Sequence, residues 1–369
     1  MRPEDARYVI IGAGFAGAAT ACHLAYRGAR RMVILEQEAV AGFHSSGRNA
    51  GFIRQVLSEP SVGNMAAKSA EFIRTPPPGW PVPVSYDTIG CLILGRGAQW
   101  EALCGDAELA RGRGLDVELW SPEKTLAAMP LIEGGALDGA VWCASDGVID
   151  INALLSGYLR VAQRGGAAIR YGETVREIRM HDGRVQGVAT DQGFLEADVV
   201  VNAAGPWAGP VGVMAGAAPI AFHPRRRHLF VTPPLDWVKP EWPFCLNVSD
   251  EIYFQPNSGG LMLCPCDEED MPPCDPPTDI RAMELLAERL ATVYPKFPDI
   301  AIARYWAGLR TFSDDNRFVI GWDPQVDGFF WVAGLAGHGV TTSAAVGSLA
   351  ANLLFGADPD PDFSPARFG

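Results

Sequence analysis

A chain of 369 residues, 48% apolar and 20% charged, has material for a large buried core and about two domains. Its formal net charge of −13 argues against a nucleic-acid or anionic-membrane partner. No apolar run reaches bilayer-spanning length, the polar N-terminus does not read as a signal peptide, and the expected location is the cytoplasm.

Residues 8–11 (Tyr-Val-Ile-Ile) form an apolar run of strand length that leads into Gly12, Gly14 and Gly17. Small and apolar residues at helical spacing follow, and a second apolar run, 32–35, ends in Glu36. Strand, glycine turn, helix, strand and terminal acid together make a dinucleotide-binding fingerprint. Gly12 permits the tight turn, Gly14 lets backbone approach a pyrophosphate, and Gly17 with Ala21 lets the helix lie close on the sheet. The helix N-terminus offers free N–H groups and a positive dipole end to phosphates. Glu36, nineteen residues after Gly17, is placed to accept from a ribose diol and would repel the 2′-phosphate of NADP. The fingerprint by itself leaves FAD and NAD open.

Further along, residues 62–74 read as a helix and the proline-rich stretch 76–83 as a boundary. Residues 88–94 read as a strand, 99–112 as a helix, and 121–129 as a short helix with a serine cap and first-turn proline. An amphipathic helix is expected over 152–165. Strands follow at 168–171, 174–180 and 185–190, the last two joined by a hairpin turn at 181–184. Residues 197–205 return to a buried strand ending in small residues, so one domain is expected to be built from separated segments. Antiparallel strands are expected between 217 and 265, an acidic, proline-rich loop over 267–279, and a helix over 281–293. The C-terminal third repeats strand, glycine turn and helix from 329 to 355. Eight cysteines are scattered along the chain; Cys264, Cys266 and Cys274 cluster, but without a nearby histidine or zinc-site spacing, so no metal is expected.

Six markers together resemble the FAD-dependent D-amino-acid oxidase superfamily, which includes glycine oxidase and monomeric sarcosine oxidase. They are the glycine fingerprint at 12–17, the run 44–50 (His-Ser-Ser-Gly-Arg-Asn-Ala), 201–207 (Val-Asn-Ala-Ala-Gly-Pro-Trp), 224–227 (Pro-Arg-Arg-Arg), 306–310 (Trp-Ala-Gly-Leu-Arg) and 329–345. The likeness covers nearly the whole chain and is greatest to bacterial D-arginine dehydrogenase. It implies FAD rather than NAD and an α/β fold: a Rossmann-like FAD-binding domain of glutathione-reductase type with a second, antiparallel β-sheet substrate domain. The expected division is 1–82, 140–216 and 306–369 for FAD, and 83–139 with 217–305 for substrate.

By this resemblance the FAD contacts are Gly12, Gly14, Phe15, Ala16, Gly17, Glu36 and Gln37. Ser45, Ser46, Arg48, Asn49, Ala50 and Gly51 follow, with Val175, Ala204, Gly205 and Trp207. Gly337, His338, Gly339, Val340 and Thr341 complete the set. The family's carboxylate clamp maps to Arg227, Tyr253 and Arg310, where two guanidiniums and a phenol make a fork for an α-carboxylate. A solvated basic strand end is the plain alternative for 225–227. In a strand, Arg225 and Arg227 share a face and Arg226 points away. Arg310 sits in an apolar context where an unpaired charge would be costly, which independently favours a ligand. His338, with Gly337 beside it, is placed near the flavin, with a plain turn residue as the alternative.

The departures bear on the substrate. The glutamate that holds the guanidinium in D-arginine dehydrogenase corresponds to Cys91, its active-site histidine to Phe52 and its lid tyrosine to Leu57. The resemblance therefore implies loss of the cationic side-chain site and a neutral, mostly apolar D-amino acid. The cysteine that attaches FAD covalently in the sarcosine oxidase branch corresponds to Gly308, so a noncovalent FAD is expected. The implied reaction is oxidation of the amino acid to an imine and then a keto acid and ammonia, with a quinone or O₂ as electron acceptor. Two rivals stand beside it: an enzyme of secondary amines, and a flavin-binding subunit without turnover of its own.

Overall fold

The computed structural model describes residues 7–369. Its first three elements are β1 (Arg7–Ile11), α1 (Phe15–Tyr26) and β2 (Arg31–Glu36). β1 and β2 run parallel, in register from Arg7 opposite Arg31 to Ile11 opposite Leu35. Tyr8 and Ile10 pack into one core and Val9 and Ile11 into another, so alternation puts both faces of β1 out of water.

α1 is buried almost all round, because it lies between this sheet and two other helices, Ile151–Arg164 and Ser343–Leu354. Small residues make that approach possible. A Cβ on Gly347 would meet the Ala19 backbone at 2.5 Å. The sheet has six strands in the order Val319–Trp322, Phe329–Ala333, Val199–Asn202, β1, β2, Ala168–Tyr171. All neighbours are parallel except the edge strand Val319–Trp322, which pairs antiparallel with Phe329–Ala333. A three-stranded antiparallel sheet, Val175–His181, Arg184–Thr190 and Gly193–Glu196, packs its valines and isoleucine against the second face. Asp182 and Gly183 both have positive φ at its first turn, as the hairpin reading of 181–184 requires.

The second large sheet has nine strands. Seven are Cys91–Gly95, Val117–Trp120, Gly139–Cys143, Phe222–Val231, Phe244–Asn247, Ile252–Asn257 and Gly260–Cys264. The others are Glu269–Asp270 and Arg304–Ser313, which pairs along Phe222–Val231. It is mixed rather than purely antiparallel, since Phe244–Asn247 runs parallel to Cys91–Gly95. The expected strand over 88–94 begins only at Cys91, because Gly90 has φ +73 and turns the chain just before it. The boundaries expected at 140 and 306 cut strands: Gly139–Cys143 and Arg304–Ser313 both belong to this sheet. With those strands moved, the two-part division remains a proposal.

One face of the nine-stranded sheet is covered by the helix Ile280–Val293, through Ala282, Leu286 and Leu290. Along Phe222–Val231, Phe230 joins that core while Leu229 and Val231 join the core on the other face. The same alternation turns Arg227 toward the space between the two large sheets. No described helix is long and apolar enough to cross a membrane.

Candidate functional site

A cavity of about 690 Å³ lies where the two large sheets meet. One end is the turn between β1 and α1, with Gly12, Gly14, Phe15 and Ala16 on its wall. Gly12 has φ +104, and a Cβ there would sit 2.5 Å from the Ala203 carbonyl oxygen. A Cβ on Gly14 would sit 2.8 Å from Ser46 Oγ. α1 starts at Gly14 with no capping side chain, so its first turn is turned on the cavity as backbone. Gly17 is not on the wall. Its hydrogen fills the gap to the turn, where a Cβ would lie 2.0 Å from the Gly12 carbonyl oxygen.

Glu36, at the end of β2, is buried beside this turn. Its carboxylate accepts from the Ala13 N–H (2.9 Å) and the Glu38 N–H (3.0 Å). Burial raises its pKa, and those two N–H groups oppose the rise. A carboxylate has about four lone-pair sites, so two remain for a diol. Gln37 lines the wall next to it.

The middle of the cavity is built by the loop that follows β2. Ser45, Ser46, Arg48, Asn49 and Ala50 all line it. Ser46 Oγ accepts from the Phe15 N–H (3.0 Å), Ser45 Oγ donates to the Leu309 carbonyl (2.6 Å), and Gln255 Nε2 donates to the Ala50 carbonyl (2.8 Å). The loop is thereby tied to α1 and to the strands Arg304–Ser313 and Ile252–Asn257 of the second sheet. Gly51 turns away, with φ +63, its N–H held by Asn49 Oδ1 at 2.9 Å. Val175, Ala204, Gly205 and Trp207 line the same stretch. Trp207 packs its ring 4.6 Å from that of His44.

At the far end the segment 337–341 faces strands of the nine-stranded sheet, and Gly337, His338, Gly339, Val340 and Thr341 are all on the wall. Arg227, Tyr253 and Arg310 converge there with Phe52. A Cβ on Gly337 would lie 3.2 Å from the Arg310 guanidinium carbon, so that guanidinium lies close against the glycine backbone. Phe52 stacks on Phe244 at 4.1 Å, and Phe244 on Tyr253 at 5.1 Å, giving this end an apolar, aromatic wall.

Two of the expected substrate residues are elsewhere. Cys91 has no exposed surface; it opens its strand, opposite Phe244 and Cys143, inside the sheet's core. Leu57 is buried in the core around α1. Neither lines the cavity, so the side-chain argument built on them does not hold. In their place the cavity presents Arg54 and Glu268, which sequence reasoning missed. Arg54 is two residues from Phe52, just past the strand Phe52–Ile53, and that spacing was the available signal. Glu268 was hidden in a stretch read only as acidic loop.

That stretch is zipped onto the basic strand. Arg225 pairs with Glu268 and Asp270 (both 3.1 Å), Arg226 with Glu269 and with Asp279 (3.1 Å), and Arg227 with Glu268. His228 Nδ1 meets Asp267 at 2.7 Å. Arg226 is on the opposite face from Arg225 and Arg227, as alternation requires, and Arg225 and Arg227 share Glu268. Burial works against the Arg227 charge, but Cys264, Cys266, Tyr253 and Glu268 around it outweigh that and raise its pKa. Burial, then Cys264, raises the Tyr253 phenol, which keeps its proton. Cys264 stands directly opposite Tyr253 in the ladder. Burial would raise its thiol, yet Cys266, Arg227 and Arg310 bring it below the usual thiol range. His338 is pushed down to about 3 by burial and by the Arg54 and Arg310 guanidiniums, so it is a neutral imidazole at physiological pH. Among the described residues no His, Cys, Asp and Glu group has the makings of a metal site.

A cavity that begins on a glycine-turn helix and ends in a cationic, aromatic pocket is matched by known proteins. The model of the FAD-dependent oxidoreductase (DAO) family fits residues 7–353. The chain belongs to that family. FAD-dependent oxidoreductase domain-containing protein 1 of Bos taurus is 26% identical over 408 residues, with 96% of this chain and 82% of that protein covered. The L-proline dehydrogenase of P. horikoshii superposes with a TM-score of 0.87 at 22% identity, covering 98% of this chain and 97% of that one. Glycine oxidase of Geobacillus kaustophilus superposes with a TM-score of 0.81 at 22% identity, covering 99% and 98%. At such identities the likeness to the solved structures is one of fold. FAD is the cofactor of this family, and the protein is an FAD-dependent oxidoreductase. The glycine turn, the helix start and Glu36 fit the pyrophosphate and ribose of that group, and the aromatic pocket fits its reactive end.

Proposed function

We propose that this protein oxidises the C–N bond of an amino acid, with a D-amino acid as the first substrate class and a noncovalently held FAD. The observation that carries the reading is Arg310. It faces the aromatic end of the cavity beside Tyr253 and Arg227, and no carboxylate among the described residues pairs with it. An unpaired guanidinium in a partly apolar pocket is costly unless a ligand supplies the countercharge. A carboxylate on Arg310, with the Tyr253 hydroxyl assisting, leaves the α-carbon against the wall formed by residues 337–341.

The chemistry that a bound FAD supplies is two-electron oxidation. The α-carbon gives up a hydride and the nitrogen a proton, and the imine so formed takes up water to give a keto acid and ammonia. The chain's own part is orientation and exclusion of water. Arg310 and Tyr253 fix the carboxylate, while Phe52, Phe244 and Leu246 close the apolar side. His338, held neutral, offers a hydrogen bond and no charge. No side chain is assigned as base. Gly308 in place of a linking cysteine supports the noncovalent attachment.

A second reading is oxidation of a secondary amine. It is supported by the similarity in fold to an L-proline dehydrogenase, whose named substrate is a cyclic secondary amine. Anaerobic bleaching of the bound flavin by a panel of D-, L- and N-alkyl amino acids tests both readings. Reduction by D-amino acids supports the first and by N-alkyl or cyclic ones the second. No reduction by any carboxylate-bearing amine overturns both and leaves a flavin-binding subunit. Acid precipitation is expected to release the yellow colour into the supernatant; colour kept in the pellet would overturn the noncovalent attachment.

A further inference from the structure

Five guanidiniums line the cavity: Arg48, Arg54, Arg176, Arg227 and Arg310. Three are answered by the protein itself: Arg48 by Asp275, Arg176 by Asp191 at 3.8 Å, and Arg227 by Glu268. Among the described residues Arg54 and Arg310 make no ion pair. None of the acids on the same wall makes an ion pair with either. Glu36 is held by the Ala13 and Glu38 N–H groups, Glu173 by Thr190 (2.7 Å) and Arg170 (3.5 Å), and Glu268 by Arg225 and Arg227.

We propose that Arg54 seats a second carboxylate, so that the substrate is an amino acid bearing two carboxylates, the second on its side chain or its nitrogen. This rests on the reading that Arg310 takes the α-carboxylate. Arg54 follows the two-residue strand Phe52–Ile53; Phe52 and Arg54 both line the cavity, while Ile53 between them is wholly buried in the core. The guanidinium is therefore presented to the same space as the aromatic wall. It shares that space with Arg310: the one imidazole of His338 feels both cations. Arg54, Arg310 and His338 line the one cavity, and on this proposal both cations are within reach of a single small molecule.

The groups facing Arg54 from the protein side do not satisfy it. Asp146 is fully buried beneath it, bound by the Gln55 N–H (3.0 Å), Gln55 Nε2 (2.9 Å) and Cys143 Sγ (3.4 Å), and forms no ion pair with Arg54. Cys91, also behind it, is a protonated thiol kept so by burial. An amino acid with one carboxylate leaves one of the two cations unanswered, whereas a dicarboxylate with a neutral amine answers both. A basic substrate would add a third cation, so its exclusion, first argued from Cys91, follows from Arg54 instead.

The test uses the FAD-loaded full chain and reads the flavin absorbance as carboxylates are titrated in. Malonate, succinate and glutarate are compared with acetate, propionate and butyrate, for the wild type, Arg54→Met and Arg54→Lys. One charge-assisted contact predicts that the best dicarboxylate binds about ten- to a hundredfold more tightly than its monocarboxylate counterpart. That ratio is expected to fall to within about threefold in Arg54→Met and to recover in part in Arg54→Lys. A wild-type ratio near one, with monocarboxylates still dependent on Arg310, overturns this proposal and leaves the clamp standing. If neither class binds, the clamp and this proposal with it are overturned. The rival role for Arg54 is to stabilise negative charge on the flavin ring, and sulfite reports it. If Arg54→Met weakens the sulfite adduct tenfold while the dicarboxylate ratio stays put, Arg54 serves the cofactor and the proposal is wrong. Should Arg54→Met fail to hold FAD, the wild-type ratio decides alone.

Discussion

Replacing Arg310 by methionine is the sharpest probe of the site, because the two candidate clamp arginines differ in what surrounds them. Arg227 is bound to Glu268, which it shares with Arg225. Arg310 has no carboxylate partner among the described residues, and Gly337 packs against its guanidinium. Removing Arg310 therefore breaks no ion pair of the folded protein, and methionine keeps most of the packing volume of the stem. The loss falls on the ligand. A hydrogen bond to a charged group is worth about 1.5–3 kcal/mol, which is roughly a ten- to 150-fold fall in kcat/KM. FAD content and melting temperature should match the wild type. Arg227→Met should instead lower both activity and stability, since it leaves Glu268 with one guanidinium in place of two. Steady-state kinetics with the best amino-acid substrate, flavin stoichiometry and thermal unfolding of both variants make the comparison. If Arg310→Met keeps kcat/KM within about threefold of wild type, the carboxylate does not dock there. If it loses FAD as well, the guanidinium serves the cofactor rather than the substrate.

Three further outcomes are expected. Glu36→Ala removes the acceptor for two backbone N–H groups at the turn as well as a partner for a ribose, so flavin retention in a dilution assay should fall about tenfold or more; unchanged occupancy would make the acid a mere strand terminus. Gly17→Val should yield little folded, flavin-loaded protein, because its Cβ would lie 2.0 Å from a backbone oxygen that cannot retreat; normal yellow protein would show that α1 can shift. Asp146→Asn bears on pH. Burial raises the Asp146 carboxyl from 3.8 to about 6, so the folded state holds that proton at higher pH than the unfolded chain. Its contribution is present in full below about pH 4 and is lost as pH rises through about 6, a change of about 3 kcal/mol at roughly 1.4 kcal/mol per pK unit. Urea unfolding at pH 4.5 and 7.5 should show the wild type losing stability relative to the variant at the higher pH; parallel profiles would refute the burial argument.

How much of this was legible beforehand depended on the range of the interaction that fixes each feature. The turn between β1 and α1 was readable because its constraints are local. Gly12 needs glycine for its own φ of +104, Gly17 answers to the Gly12 carbonyl oxygen within the turn, and Glu36 reaches it from the adjacent strand. Helices with caps and an apolar stripe were equally plain, such as Ile151–Arg164 behind Asp150 and Ile280–Val293 behind Asp279. The strand Arg304–Ser313 was not, although it carries Arg310. Its pairing partner lies some eighty residues earlier, and nothing in its own sequence records that. The parallel placement of Phe244–Asn247 beside Cys91–Gly95 was hidden for the same reason.

The site divides along the same line. Positions within one motif could be assigned by spacing, and the two glycines that turn away, Gly17 and Gly51, are those whose task is packing and turning. The substrate end could not be assigned that way, because what a side chain faces there is set by sheets far apart in sequence. Cys91 had the right neighbours in the chain and the wrong ones in space: at the start of its strand, between Phe244 and Cys143, its side chain goes into the core. Arg54 had no recognised motif around it, yet the alternation that put Phe52 on the wall puts Arg54 there too. The charge of the pocket then follows from counting partners rather than from matching positions. Glu268 cancels Arg227, and Arg54 and Arg310 are left to be answered by whatever binds. A pocket read from aligned positions as neutral is, on the proposal that Arg54 and Arg310 are both answered by the substrate, one that would favour negative charge.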